Sequence, residues 1–167
     1  TKKTNHYIDN KQFLQALIDY REACEKAEED PPIPNYIGEC FYKIAEHLSR
    51  KPNFISYSFR DEMISDGIEN CLMYFRNFDP EKSKNPFAYF TQIIYYAFLR
   101  RITKEKKQLY VKYKATEQYA IIDEHNELPG GGLRQFELYD NIAEFIQTFE
   151  ENKKKKSEKK KGIEKFI

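Results

Sequence analysis

Between Asn10 and Asp30, apolar residues fall at Phe13, Leu14, Leu17, Ile18 and Ala23, with charged residues between them. Recurrence at three and four residues marks a helix with one buried face. "DPPIPN" follows, and three prolines in four positions cannot continue a helix. A second helical pattern, "YIGECFYKIAEHLSRK", puts Ile37, Phe41, Ile44, Ala45 and Leu48 on one stripe and stops at Pro52. A third runs from about Phe59 to Phe75 and carries Met63, Ile64, Ile68, Cys71, Leu72 and Phe75. "NFDPEKSKNP" reads as a loop. The fourth helix starts near Pro86, a residue favoured in a first turn because it has no N–H to satisfy, and is expected to reach about Tyr113. "LPGGG" (128–132) is a break, and "LRQFELYDNIAEFIQTFEE" after it is a short amphipathic helix with Leu133, Phe136, Ile142, Phe145, Ile146 and Phe149. No stretch alternates with period two and no repeat appears, so the expected fold class is all-α.

The fourth helix, "NPFAYFTQIIYYAFLRRI" (85–102), has rings on more than one side. At 100° per residue, Phe87, Phe90, Ile94, Ala97 and Phe98 share one arc, which is a core stripe. Gln92, Tyr95, Tyr96 and Leu99 fall on the opposite side, bordered by Tyr89 and Arg100. Two readings account for that second face. Either a large core surrounds the helix or its tyrosines simply tip their hydroxyls into water, or else the rings meet unpaired bases while neighbouring cations hold the phosphate backbone. Lys104, Lys106 and Lys107 continue the basic run and favour the second.

Charge adds a segmentation that the formal net charge of +1 conceals. From Tyr95 to Lys114 seven Lys/Arg stand against one acid, Glu105; from Glu117 to Glu151 nine Asp/Glu stand against Arg134 alone. "KKKKSEKKK" then closes a second basic stretch, expected to be disordered. Basic blocks at defined places point to an anionic partner. Thirteen Tyr and thirteen Phe argue for a packed core, since disordered chains are poor in rings.

Cys24, Cys40 and Cys71 are scattered, without C-x-x-C spacing, so neither a disulfide framework nor a zinc site is expected, and a reducing compartment is. No apolar run approaches the roughly 18 residues of a membrane span. No Gly-rich phosphate loop and no His/Cys/Asp cluster of catalytic or ligand spacing appears, so the expectation is a non-enzyme without metal or cofactor.

Residues 61–102, "DEMISDGIENCLMYFRNFDPEKSKNPFAYFTQIIYYAFLRRI", resemble the second conserved region of bacterial sigma factors. The marks are Glu62, Asp66, Gly67, Phe78-Asp79-Pro80, Tyr89, Ala97, Arg100 and Ile102, aligned without a gap. Within that family, "NPFAYFTQ" followed by "AFLRRITKEKK" is especially similar to the late-transcription sigma factors of T-even-type bacteriophages. The resemblance covers residues 8–114 and is specific over 61–107.

That resemblance implies an all-α, sigma region-2-like domain over 8–114, an acidic linker and helix over 115–152, and a lysine-rich tail over 153–167. It implies that Glu62, Ser65, Asp66, Glu69 and Leu72 dock on the clamp coiled coil of the largest subunit of host RNA polymerase core. Tyr89, Gln92, Tyr95, Tyr96, Leu99, Arg100, Arg101, Lys104, Lys106 and Lys107 would engage promoter DNA, with Tyr89 stacking on a flipped adenine. Gln92 and Ile93 stand where housekeeping members carry a tryptophan pair, a departure that weakens the melting wedge. No second helix-turn-helix is expected after Lys114. The phage late factors rely instead on a sliding clamp, with a late co-activator as a further partner; here Ile163, Phe166 and Ile167 of "GIEKFI" would bind it. The expected location is the cytoplasm of an infected bacterium, and the free protein is expected to be a monomer. The rival is a stand-alone helical DNA-binding regulator whose basic helix 98–114 lies in a major groove. A structural scaffold would show no affinity for DNA at all.

Overall fold

Helix α1 (Asn10–Lys26) begins where the Asp9 carboxylate accepts hydrogen bonds from the Lys11 and Gln12 N–H groups, at 2.9 and 3.2 Å. Those are orphan donors of a first turn, and a side-chain cap satisfies them. The helix stops four residues short of the expected Asp30, with Ala27 extended. Glu28, Glu29 and Asp30 would bring like charge to the negative end of the helix dipole, and Pro31 then closes the option. Helix α2 (Asn35–Ser49) follows the prolines, and α3 (Arg60–Tyr74) opens with Asp61 and Glu62 in its first turn, the favourable sign there. A single 3-10 turn, Phe75–Asn77, and a loop lead to α4 (Pro86–Glu124).

The computed structural model describes residues 7–124 and 141–155, with side chains over 7–117 and 141–155. All regular structure among the described residues is helical. None of these helices is long and apolar enough to cross a membrane. Two compact units divide the chain, Thr1–Ile102 and Thr103–Ile167, with the division inside α4.

The first unit is built on rings. Phe13, Phe41 and Phe90 are fully buried, with Phe41 and Phe90 4.8 Å apart and Phe13 5.5 Å from Phe90. The α2 stripe of Ile37, Phe41, Ile44, Ala45 and Leu48 is buried as its period predicts, and so are Phe90, Ile94, Ala97 and Phe98 of α4. Tyr20 joins them because its hydroxyl donates to the Pro31 carbonyl at 2.9 Å, so the ring can bury without stranding a polar atom. Gly67 sits where α3 meets α4: a Cβ there would lie 3.0 Å from Ile94 Cγ2 and 3.2 Å from Phe98 Cε1. The absence of a side chain lets the two helices approach closely. The start of α4 is fastened by asparagines. Asn10 Oδ1 accepts from Phe87 N and Asn85 Oδ1 from Ala88 N, both at 3.1 Å.

In the second unit α4 outruns its expected end at Tyr113, because nothing between Thr103 and Glu124 is a glycine or proline. A fifth helix, α5 (141–155), packs on it. Tyr110 stacks on Phe149 at 4.5 Å and Tyr113 meets Phe145 edge-on at 5.3 Å. Rising numbers on α4 meet falling numbers on α5, so the pair is antiparallel. Ile142 and Ile146 are its buried aliphatics. Lys153–Lys155, expected to be disordered, are helical; lysine is a good helix former and its charge suits a C-terminal turn. The expected apolar positions Leu133 and Phe136 lie outside the described residues.

Candidate nucleic-acid interface

Burying one stripe of α4 leaves the opposite stripe to water. Gln92 is exposed, Tyr95 is 39%, Tyr96 51% and Leu99 37% exposed, and Arg100 is exposed beside them. Uncovered large apolar groups side by side are costly unless something covers them at work. Tyr95 and Tyr96 stand 5.8 Å apart with their planes at 75°, so they present one ring face and one ring edge.

Tyr89 differs from them. It is half-buried, held edge-on by Phe78 at 5.2 Å and by Phe90 at 5.1 Å. Phe78 of the F-D-P loop is therefore a buried plug under Tyr89, not a surface loop residue. Seven residues separate Tyr89 from Tyr96, two turns or about 10 Å along one side of the helix. Asp79 stiffens the same loop: its carboxylate accepts from Glu81 N at 3.0 Å and pairs with Lys82 at 3.1 Å. The backbone bond from Glu81, with Lys82 after it, lowers the Asp79 pKa below the ordinary carboxylate value.

The arginines that close the face are engaged with α3. Arg101 binds Asp66 through two bonds, Nε to Oδ2 and Nη2 to Oδ1, both 2.6 Å. Both side chains are largely covered, at 18% and 26% exposure. Arg100 Nη2 donates to Asn70 Oδ1 at 2.6 Å, and Asn70 Nδ2 in turn donates to the Asp66 carbonyl at 2.7 Å. Sequence reasoning sent Asp66 toward a protein partner and Arg101 toward DNA; here each satisfies the other. Bidentate Arg–carboxylate pairing is the strongest form of such a contact.

On α3, Glu62, Ser65 and Glu69 are exposed and Leu72 is 40% exposed. The Ser65 hydroxyl donates back to the Asp61 carbonyl at 3.0 Å. Met73 at 61% and Tyr74 at 44% exposure extend this apolar edge, which the sequence reading missed. The signal was present: "CLMYFR" has more apolar residues in succession than one helical stripe can bury. Phe54 was missed too. It lies in the α2–α3 connection, is buried, and meets Tyr95 at 5.7 Å and Phe98 at 5.2 Å.

Lys104, Lys106 and Lys107 belong to the second unit and are exposed there. In that unit Lys114 is paired with Glu117 at 3.0 Å and Glu150 at 3.5 Å. Glu150 also accepts from the Tyr110 hydroxyl at 2.8 Å, which holds its pKa down, with Lys114 adding to the effect. Ile163, Phe166 and Ile167 lie outside the described residues.

The first unit also holds a cavity of about 340 Å³. Leu17, Tyr20, Phe75 and Phe78 floor it, and the Arg76–Asp30 pair at 2.7 Å closes one rim. Among the described residues no three His, Cys, Asp or Glu side chains stand together to hold a metal. What the α4 face offers chemically is stacking area, a polar Gln92 and a cation at its edge. No protein-family model matches the chain, and no curated protein matches it.

Proposed function

We propose that the chain is a sigma-type initiation factor that brings bacterial core RNA polymerase to A·T-rich, −10-like late promoters of a T-even-like phage. In this reading the first unit is a sigma region-2-like domain, and a sliding clamp activates it through Ile163, Phe166 and Ile167. The observation that carries the reading is the outer face of α4. Tyr95 and Tyr96 keep about two fifths and half of their surface in solvent on a helix whose other side is packed, and a basic residue borders them.

The division of labour follows from magnitudes. Stacking a base on an aromatic ring contributes about 1–3 kcal/mol. Opening a duplex step costs on the order of 1.4 kcal/mol. A few rings therefore nucleate a bubble but cannot hold one, and the strands must be gripped by a larger machine. The exposed side of α3, with Glu62, Ser65, Glu69 and Leu72, is the surface that would meet that machine. Asp66 enters this surface only if a partner competes with Arg101 for its carboxylate. The chain performs no bond chemistry in this scheme; it binds, orients and unstacks.

Measuring the two jobs separately tests the reading. With purified core polymerase, Tyr96→Ala should keep core affinity and reduce open complexes about tenfold, the loss of one stacked base. Leu72→Asp should lose core binding itself. If Tyr96→Ala lost core binding as completely as Leu72→Asp, the two surfaces would not be separate sites. If the wild-type protein ignored core and shifted duplex DNA alone, the stand-alone regulator would replace this reading.

A further inference from the structure

The connection between α2 and α3 carries Arg50 and Lys51 and no acid from residue 50 to residue 59. It is an ordered turn. Phe54 N and Ile55 N both donate to the Lys51 carbonyl, at 2.8 and 3.0 Å, and Tyr57 N donates to the Phe54 carbonyl at 3.3 Å. Pro52 occupies the second position of the turn closed by Phe54, where its fixed φ favours the bend. Phe54 is driven into the core at 3% exposure and touches both Phe98 on the buried side of α4 and Tyr95 on its outer side. The next residue, Ile55, is 53% exposed. A fixed turn whose Phe54 touches Tyr95 thus displays a large aliphatic group and a lysine to solvent. Arg50 is already paired with Glu46, which leaves Lys51 as the exposed cation of the turn.

We propose that this turn is the second wall of the nucleic-acid site, with Ile55 packing against an unpaired base and Lys51 holding the adjoining phosphate. The inference rests on the initiation-factor reading and adds to it a surface from outside the aromatic helix. Charge selects the occupant. An exposed lysine on a turn without an acid suits a phosphate, and a ring–aliphatic wall suits the faces of unpaired bases. Anchoring by Phe54 makes the wall rigid before binding, which lowers the ordering cost on association.

The test is site-specific photo-crosslinking in the full complex of protein, core polymerase and A·T-rich promoter DNA. A benzoylphenylalanine is placed at position 55 in one sample and at position 96 in another. The proposal predicts crosslinks to the non-template strand from both positions. It also predicts that Lys51→Glu and Ile55→Asp each weaken the promoter complex about tenfold with core affinity unchanged. A DNA crosslink from 96 together with none from 55, or with a crosslink from 55 to a polymerase subunit, overturns the turn as a DNA wall and leaves the initiation-factor reading standing. No DNA crosslink from either position overturns both.

Discussion

Helix α4 is held in two different ways along its length. In the first unit its inner stripe is locked by volume: Phe90, Ile94 and Phe98 are fully buried, and Gly67 brings α3 within contact distance. A half-buried bidentate pair, Asp66–Arg101, closes the edge. In the second unit α4 meets α5 through two ring contacts, two buried isoleucines and a half-buried set of polar contacts among Tyr110, Lys114 and Glu150. The first arrangement depends chiefly on packing, which salt and pH barely touch; the second leans more on half-exposed charge, which both weaken. A surface that must present rings in a fixed geometry belongs on the first kind of support.

The largest effect should come from the packed side. Phe98→Ala removes a ring that touches Phe54 and fills the space beside Gly67, and should cost about 3–5 kcal/mol, read from chemical denaturation. A loss below about 1 kcal/mol would show that the α3–α4 seam does not carry the first unit. An intermediate effect is expected at the clasp. Asp66→Ala should cost about 1–2 kcal/mol, and a double-mutant cycle with Arg101→Ala should give a coupling of about 1 kcal/mol or more. Coupling near zero would reduce the pair to an ordinary surface contact.

The smallest and most conditional effect lies in the second unit. Glu150 has its pKa depressed by the Tyr110 hydroxyl and by Lys114, so its contribution is present above the ordinary glutamate range and is lost as pH falls through the depressed value. Tyr110 has its pKa raised, chiefly by the Glu150 bond, so the contact in which it is neutral persists to the ordinary tyrosine range and fades above it. Protection factors across 103–117, taken against the intrinsic exchange rate at each pH, should therefore fall on acidification, and Glu150→Gln should flatten that dependence. Acid-insensitive protection would mean the rings alone hold the two helices together.

Much of the first unit was legible because its helices repeat at 3.6 residues between proline breaks. The α2 stripe, the inner stripe of α4 and its outward Gln92, Tyr95, Tyr96 and Leu99 all follow from spacing. Pairing across distance was not legible. Asp66 and Arg101 lie 35 residues apart, and each alone looks like a solvent-facing charge awaiting an external partner. Phe54 escaped because a single ring in a connection has no period to betray burial. Tyr20 escaped because a tyrosine counts as apolar only when its hydroxyl finds an acceptor, and Pro31 supplies one through folding. Helix α4 runs past the expected Tyr113 because no glycine or proline stands between Thr103 and Glu124.

Transcription by bacterial core polymerase on a supercoiled template with an A·T-rich, −10-like promoter, with and without this protein, tests the central claim most directly. The account predicts specific initiation that requires the protein and falls about tenfold with Tyr96→Ala. Core polymerase that neither binds the protein nor initiates in its presence would contradict it.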